Sequence, residues 1–221
     1  MPMGKEKHMN DSTTILDAFT TRLPHLLPCR ADMQKAFAIL QESFARDGKL
    51  LLCGNGGSAA DCEHIAGELM KGFLQKRPLS AAQRQAFSTY GDAGTALAQK
   101  LQNALPCICL TGHTALSSAF ANDVNPAFVY AQQLHGYADE NDVLLAISTS
   151  GNAMNVYYAI LAAKAHNLPV IGLTGGTGGR MQELCDVLIV SPACETYLIQ
   201  EDHLPIYHTL CAMLENAFFG A

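Results

Sequence analysis

Four short apolar runs punctuate the chain, Lys49 to Cys53, Pro106 to Leu110, Asp142 to Ser148 and Pro169 to Thr174, each giving way to glycine, serine, threonine or asparagine. A fifth, Asp186 to Ser191, resembles them. Little polar alternation interrupts these runs, which suits strands covered on both faces. Helical patterns lie between them, so the chain is expected to form a parallel sheet in an α/β layer fold. Ligands in such folds bind beyond the carboxyl ends of the strands.

Before the first strand the pattern predicts two helices over about 12–47, Ser12 to Leu27 and Ala31 to Asp47, separated at Pro28. Ile15, Phe19 and Leu23 repeat at helical spacing in the first, and Phe37, Leu40 and Phe44 in the second. The stretch from Thr196 to Phe219 is also helical in pattern, with Pro205 expected to bend it or start a fresh turn. Between Gln75 and Ala104 the chain is polar, rich in alanine and without a strand signal, which reads as a helical insertion. There Thr95 is expected to cap a helix striped by Leu97, Leu101 and Leu105, with Gly91 and Gly94 interrupting whatever precedes it.

Composition narrows the class. A chain of 221 residues, 49% hydrophobic and 15% charged, can bury a core, and a single domain over 1–221 is the simplest count. Its 14 basic against 20 acidic residues give a net charge of −6 without a basic tract, so direct nucleic-acid binding is not expected and any attraction for an anion must be local. The polar N-terminus and the absence of a membrane-length apolar run point to a cytoplasmic protein without a membrane partner. Eight cysteines contain no C-x-x-C pair and read mostly as buried thiols. Cys107 and Cys109 face one side of a strand, as packing groups or as a functional pair.

Three segments carry the candidate chemistry. The first strand ends in GNGGS, Gly54 to Ser58, where glycines admit close backbone approach and the following helix offers unpaired N–H groups to an oxygen-rich ligand. The spacing is neither G-x-G-x-x-G nor G-x-x-x-x-G-K-[ST], so a tight structural turn is the competing reading. On that helix His64 and Glu68 stand four apart and share a face, where an imidazole and a carboxylate can converge on a metal or a substrate. A second turn, STSGNAMN from Ser148 to Asn155, puts three hydroxyls before a helix start; one cap needs one hydroxyl, so three favour a phosphate cradle. The third segment, IQEDHLPIYH from Ile199 to His208, crowds Gln200, Glu201, His203 and His208 into an apolar helix, as a site or as satisfied core residues.

Together these segments resemble the sugar isomerase (SIS) domain family, and within it the phosphoheptose isomerases. The likeness rests on CGNGGSAAD with His64 and Glu68, AND at Ala121 to Asp123, ISTSGN at Ile147 to Asn152, and IQEDH with His208. It implies a three-layer, flavodoxin-like fold with a five-stranded parallel sheet flanked by helices, a homotetramer with sites at subunit interfaces, and one zinc ion per subunit. It also implies aldose–ketose isomerisation of sedoheptulose 7-phosphate to D-glycero-D-manno-heptose 7-phosphate, a step in bacterial heptose synthesis. By resemblance the metal ligands are His64, Glu68, Gln200 and His208, and the acid/base pair is Glu68 and His208. Substrate contacts are then Asn55, Gly56, Gly57, Glu68, Asn122, Asp123, Ser148, Thr149, Ser150 and Gln200. Some relatives in the family instead associate with the bacterial replication initiator, so a non-catalytic phosphosugar-binding or regulatory module is the alternative.

The chain departs from the resemblance at four places. Ala153 replaces a hydroxyl after SGN, Met70, Lys71, Gly72 and Phe73 stand where T-G-R-Y is usual, Tyr197 and Leu198 replace an acidic–basic pair, and the segment from Gln75 to Ala104 is added. Gln200 and His208 also lie eight residues apart, about 12 Å along an ideal helix, which strains joint ligation of one ion. Either Pro205 shortens that path or the two come from different subunits.

Overall fold

The apolar runs become five parallel strands, β1 (Leu50–Cys53), β2 (Cys107–Cys109), β3 (Val143–Ile147), β4 (Val170–Gly175) and β5 (Val187–Ser191), in the order β2-β1-β3-β4-β5. The structure is a computed structural model; it describes residues 4–220, with side chains from Ser12 onward. The first three residues of the polar N-terminus and Ala221 therefore lie outside the described residues. Every position of β1, β3 and β4 is buried, as continuous apolar runs require.

Alternation along the strands divides the core into two faces. Leu50, Leu52, Val143, Leu145, Ile171 and Leu173 point to one side, covered by α1 (Gly4–Arg22), α2 (Arg30–Ala45), α3 (Gly57–Met70) and α9 (Thr196–Phe219). Leu51, Cys53, Leu144, Ala146 and Val170 point to the other, against α7 (Val129–Tyr137) and α8 (Met154–Ala165). Cys107 and Cys109 both join the first face and Ile108 the second, so the two thiols do share a side; the Cys109 thiol donates to the Cys62 carbonyl, 3.0 Å away. The remaining helices are α4 (Ala81–Ser88), α5 (Gly91–Ala98) and α6 (Thr114–Asp123).

Several boundaries differ from the pattern. The first helix starts as early as Gly4 and ends at Arg22, because Pro24 opens a tight 3-10 turn over Pro24–Cys29 that contains Pro28. Pro205 neither breaks nor restarts α9, which runs unbroken through it. Asp202, His203, Ile206 and Tyr207 are buried around it, so packing outweighs the one missing N–H donor. In the added segment, Ser80 and Gln83 form a capping box that starts α4, and Gly91 turns into α5 at φ +68°. Thr95 lies inside α5, not at its cap, and Gly94 lies inside the helix against the Phe87 carbonyl. Leu97 and Leu101 are exposed while Leu105 belongs to the main core, so that stripe does not exist as one face.

The sheet reverses direction of growth between β1 and β3, which pair directly. A crevice therefore opens at their carboxyl ends, where GNGGS and STSGN meet. Among the described residues no helix is long and apolar enough to cross a membrane.

Candidate active site

The two glycine turns are locked to one another. Asn55 and Asn155 exchange amide hydrogen bonds, each 2.8 Å, and Tyr130 donates to the Gly54 carbonyl at 2.6 Å. Gly56 adopts φ +56°, and Gly151 φ +65°, where an added Cβ would stand 2.0 Å from the Gly178 carbonyl oxygen; only glycine fits there. Together they shape a cleft of about 300 Å³, lined by Asn55, Gly56, Gly57, Ser148, Thr149 and Ser150, with Thr196 and Gln200 of α9 over it. The first turns of α3 and α8 both point at this cleft, which gives it the positive ends of two helix dipoles. Ala153 occupies the N-cap of α8 without a side-chain cap, so the missing hydroxyl leaves that turn to Ser150, whose Oγ accepts from Asn152 N at 3.2 Å.

About two turns further along α3 a second group of polar side chains converges. His64 Nε2 is 3.2 Å from Glu68 Oε1 and 3.4 Å from His208 Nε2, and the three ligand atoms all lie within 4.8 Å of one another. Donors about 2.1 Å from a tetrahedral zinc would be ~3.4 Å apart, so this spacing fits such an ion. Hydrogen-bond direction supports the fit. Tyr207 donates its one proton to Asp61 Oδ1 at 3.3 Å and must accept from His64 Nδ1 at 2.9 Å, which leaves His64 Nε2 a lone pair. That lone pair, a carboxylate oxygen and His208 Nε2 then face one point, and with His208 as its Nδ1–H tautomer all three are acceptors suited to a cation. Two imidazoles and a carboxylate are also the donor types that zinc takes.

Electrostatics follow burial. His208 is held below the ordinary histidine range, first by burial and then by the neighbouring His64, with Glu68 opposing the shift. Burial raises Asp61 above the usual carboxylate value, against its bond from Tyr207. Glu68 divides its two oxygens, Oε1 toward His64 and Oε2 toward Lys71 Nζ at 3.0 Å. His208 also opens onto a cleft of about 330 Å³ lined by Phe19, Arg22, Phe73 and Thr209.

The expected residues thus fall into two groups. His64, Glu68 and His208 come together; Asn55, Gly56, Gly57, Ser148, Thr149, Ser150 and Gln200 come together elsewhere. Gln200 packs its amide over Gly57, where an added Cβ would meet Nε2 at 2.5 Å, two turns of an unbroken helix from His208. Asn122 and Asp123 belong to neither group: they stand exposed at the end of α6 and bond each other at 2.9 Å. His203 faces neither group, being wholly buried with Nε2 3.2 Å from the Thr174 carbonyl and its pKa lowered to about 4 by burial. Asp61, Tyr130, Asn155 and Tyr207 join the site only in the fold. Asp61, Asn155 and Tyr207 lie inside the three segments that carry the candidate chemistry, whereas nothing local marks Tyr130.

The chain is similar to known proteins over most of its length. The model of the SIS domain family matches residues 17–103 and 80–175. A phosphoheptose isomerase of Burkholderia pseudomallei is 36% identical over 190 residues, 86% of this chain and 84% of that protein. One from Campylobacter jejuni is 38% identical over 189 residues, 86% of this chain and 88% of its own length. The structure of a phosphoheptose isomerase from Neisseria gonorrhoeae superposes with a TM-score of 0.69 at 28% identity, covering 96% of each chain.

Proposed function

The chain belongs to the SIS-domain family of phosphoheptose isomerases, and we propose that it interconverts sedoheptulose 7-phosphate and D-glycero-D-manno-heptose 7-phosphate by zinc-assisted proton transfer through an enediol. The observation that carries this reading is the two-ended site. Helices α3 and α9 each touch the phosphate-type cleft at their first turns and the His64–Glu68–His208 cluster two turns later. Seven helical residues from Gly57 to His64 set the two ends about 10 Å apart. A ligand that fills both needs a phosphate at one end of a long chain and a reacting carbon at the other.

In this reading the first turns of α3 and α8, with Ser148, Thr149 and Ser150, hold the phosphate, and Gln200 contacts the sugar as it crosses. Fixing the phosphate presents C1 and C2 to Glu68. Glu68 takes the proton from C1 of the ketose and returns it at C2, while His208 relays the hydroxyl proton, its ring N–H donating to O2 as the same nitrogen takes up the proton that O1 gives up. Zinc held by His64, Glu68 and His208 would supply Lewis-acid stabilisation of the enediolate oxygen. Gln200, two turns of helix from His208 and packed over Gly57, would act on the sugar and not on the ion within one subunit. The bond from Lys71 to Glu68 Oε2 also separates the oxygen that meets metal from the one that moves protons.

The direct test is turnover of sedoheptulose 7-phosphate with metal analysis of the same preparation and sedimentation to count subunits. Turnover with stoichiometric zinc is expected, together with a preference over phosphorylated sugars of five carbons. Equal turnover of the five-carbon sugars would defeat the two-ended reading.

A further inference from the structure

Beyond the cluster, α3 and α9 are joined by a second set of contacts that no step of the reaction uses. Arg77 and Glu215 are both wholly buried, with Nε 2.8 Å from Oε1. Glu215 follows His208 on α9 by seven residues, two turns along the same face. Its carboxylate also accepts from the backbone N–H groups of Phe73, Leu74 and Gln75 at 2.8, 2.7 and 3.0 Å. The remaining arginine nitrogens go to the end of α3: Nη1 donates to the Leu69 carbonyl at 2.6 Å and Nη2 to the Glu68 carbonyl at 3.0 Å. The guanidinium lies 4.7 Å from the centre of the Phe219 ring.

Two charges withdrawn this completely from water carry a large desolvation penalty, and apolar residues of similar volume hold a core together as well or better. An apolar pair lacks direction. A guanidinium fork and a carboxylate fix several partners at once in set geometry. Here one end of the pair fixes the carbonyl of Glu68 itself. The other fixes the N–H of Phe73, whose ring lies 5.4 Å from that of His208. Arg77 also anchors the added hairpin, since its carbonyl accepts from Asn103 N at 2.7 Å.

We propose that Arg77 and Glu215 are positioning residues for the reaction: a buried strut that sets Glu68 on α3 against His208 on α9 and holds Phe73 against the His208 ring. The inference rests on reading His64, Glu68 and His208 as a metal and proton-transfer centre. Neither strut residue touches substrate, so its loss should act on the metal end and leave the phosphate end alone.

The test compares the wild type with Arg77→Lys and with the double variant Arg77→Met/Glu215→Leu. Lysine keeps the charge but cannot reach Glu215 and both carbonyls together, and the double variant leaves no buried charge alone. Each protein is titrated with Co2+ and followed by its visible absorption, with thermal midpoint, kcat and KM measured alongside. Co2+ affinity and kcat are expected to fall by about tenfold or more in the variants, with altered absorption bands and KM within about threefold. If the double variant does not fold, Arg77→Lys decides alone. A folded variant with wild-type Co2+ affinity, spectrum and kcat overturns the strut. A wild type that binds no Co2+ or Zn2+ overturns the centre on which the strut rests, and the proposal with it.

Discussion

The two ends proposed for the site, one for phosphate and one for metal, are built in opposite ways. The phosphate end is made of two continuous stretches that each follow a strand directly, Gly54 to Ser58 after β1 and Ser148 to Asn152 after β3. Its tools are backbone N–H groups, hydroxyls and glycines that permit close approach. The metal end is made of side chains on two crossing helices, with His208 144 residues beyond His64. Backbone cradles come from local geometry, which any correctly folded strand-to-helix turn reproduces. A convergent set of three ligand atoms depends on how two helices pack, and here it is backed by Tyr207 and Asp61 on one side. On the other side it is backed by the buried Arg77–Glu215 pair.

Ends built so differently should fail differently. The largest effect belongs to Glu68→Gln, which keeps shape and removes the base: kcat for sedoheptulose 7-phosphate should fall by about 10²–10⁴ with KM nearly unchanged. Normal turnover in that variant would take the proton transfer away from Glu68.

Acid should break both ends together through His203, which lies on α9 between Gln200 and His208. Its folded pKa of about 4 is below the unfolded value of about 6.5, so the unfolded chain binds the proton more readily. Stability tied to the neutral ring is complete above about pH 6.5 and is lost as pH falls toward about 4, a loss of roughly 3 kcal/mol. Denaturant midpoints between pH 7 and pH 4.5 in wild type and His203→Gln check this, the variant being expected to show a shallower acid fall. An unchanged slope would remove His203 as its source.

Tyr207→Phe acts on the metal end alone. It removes the acceptor of His64 Nδ1–H, and zinc affinity measured by competition with a chelator should weaken by about 10- to 100-fold, with KM little affected. The smallest effect is expected at the phosphate end, where Ser150→Ala removes one of several donors. KM should rise by about five- to tenfold at unchanged kcat, as suits the loss of one hydrogen bond of about 1 kcal/mol. A fall in kcat with KM unchanged in Ser150→Ala would blur the division between the ends.

Much of the scaffold was legible because strands buried on both faces write themselves as apolar runs: all five appeared within a residue or so of their final bounds. The misplacements fell where tertiary packing competes with local preference. Burial carries α9 through Pro205, and Pro24 rather than Pro28 ends α1. The turns at Gly54 and Ser148 were readable for the same reason as the strands, since glycine and hydroxyl spacing acts within a few residues. The Asn55–Asn155 lock between them was not, because amides carry no signal of which distant partner they will find.

By itself, then, the sequence determined the strands, the two turns at their carboxyl ends, and the shared helical face of His64 and Glu68, all of which follow from periodicity and steric freedom over a few residues. Only the tertiary structure decided that His208 joins that pair while Gln200 sits two turns away over Gly57. It alone decided that Asn122 and Asp123 stand apart on α6, and that a buried arginine and glutamate brace the two helices. The physical reason is that ligand convergence and the satisfaction of buried charge depend on where two helices cross, and a crossing is set by the whole core beneath it.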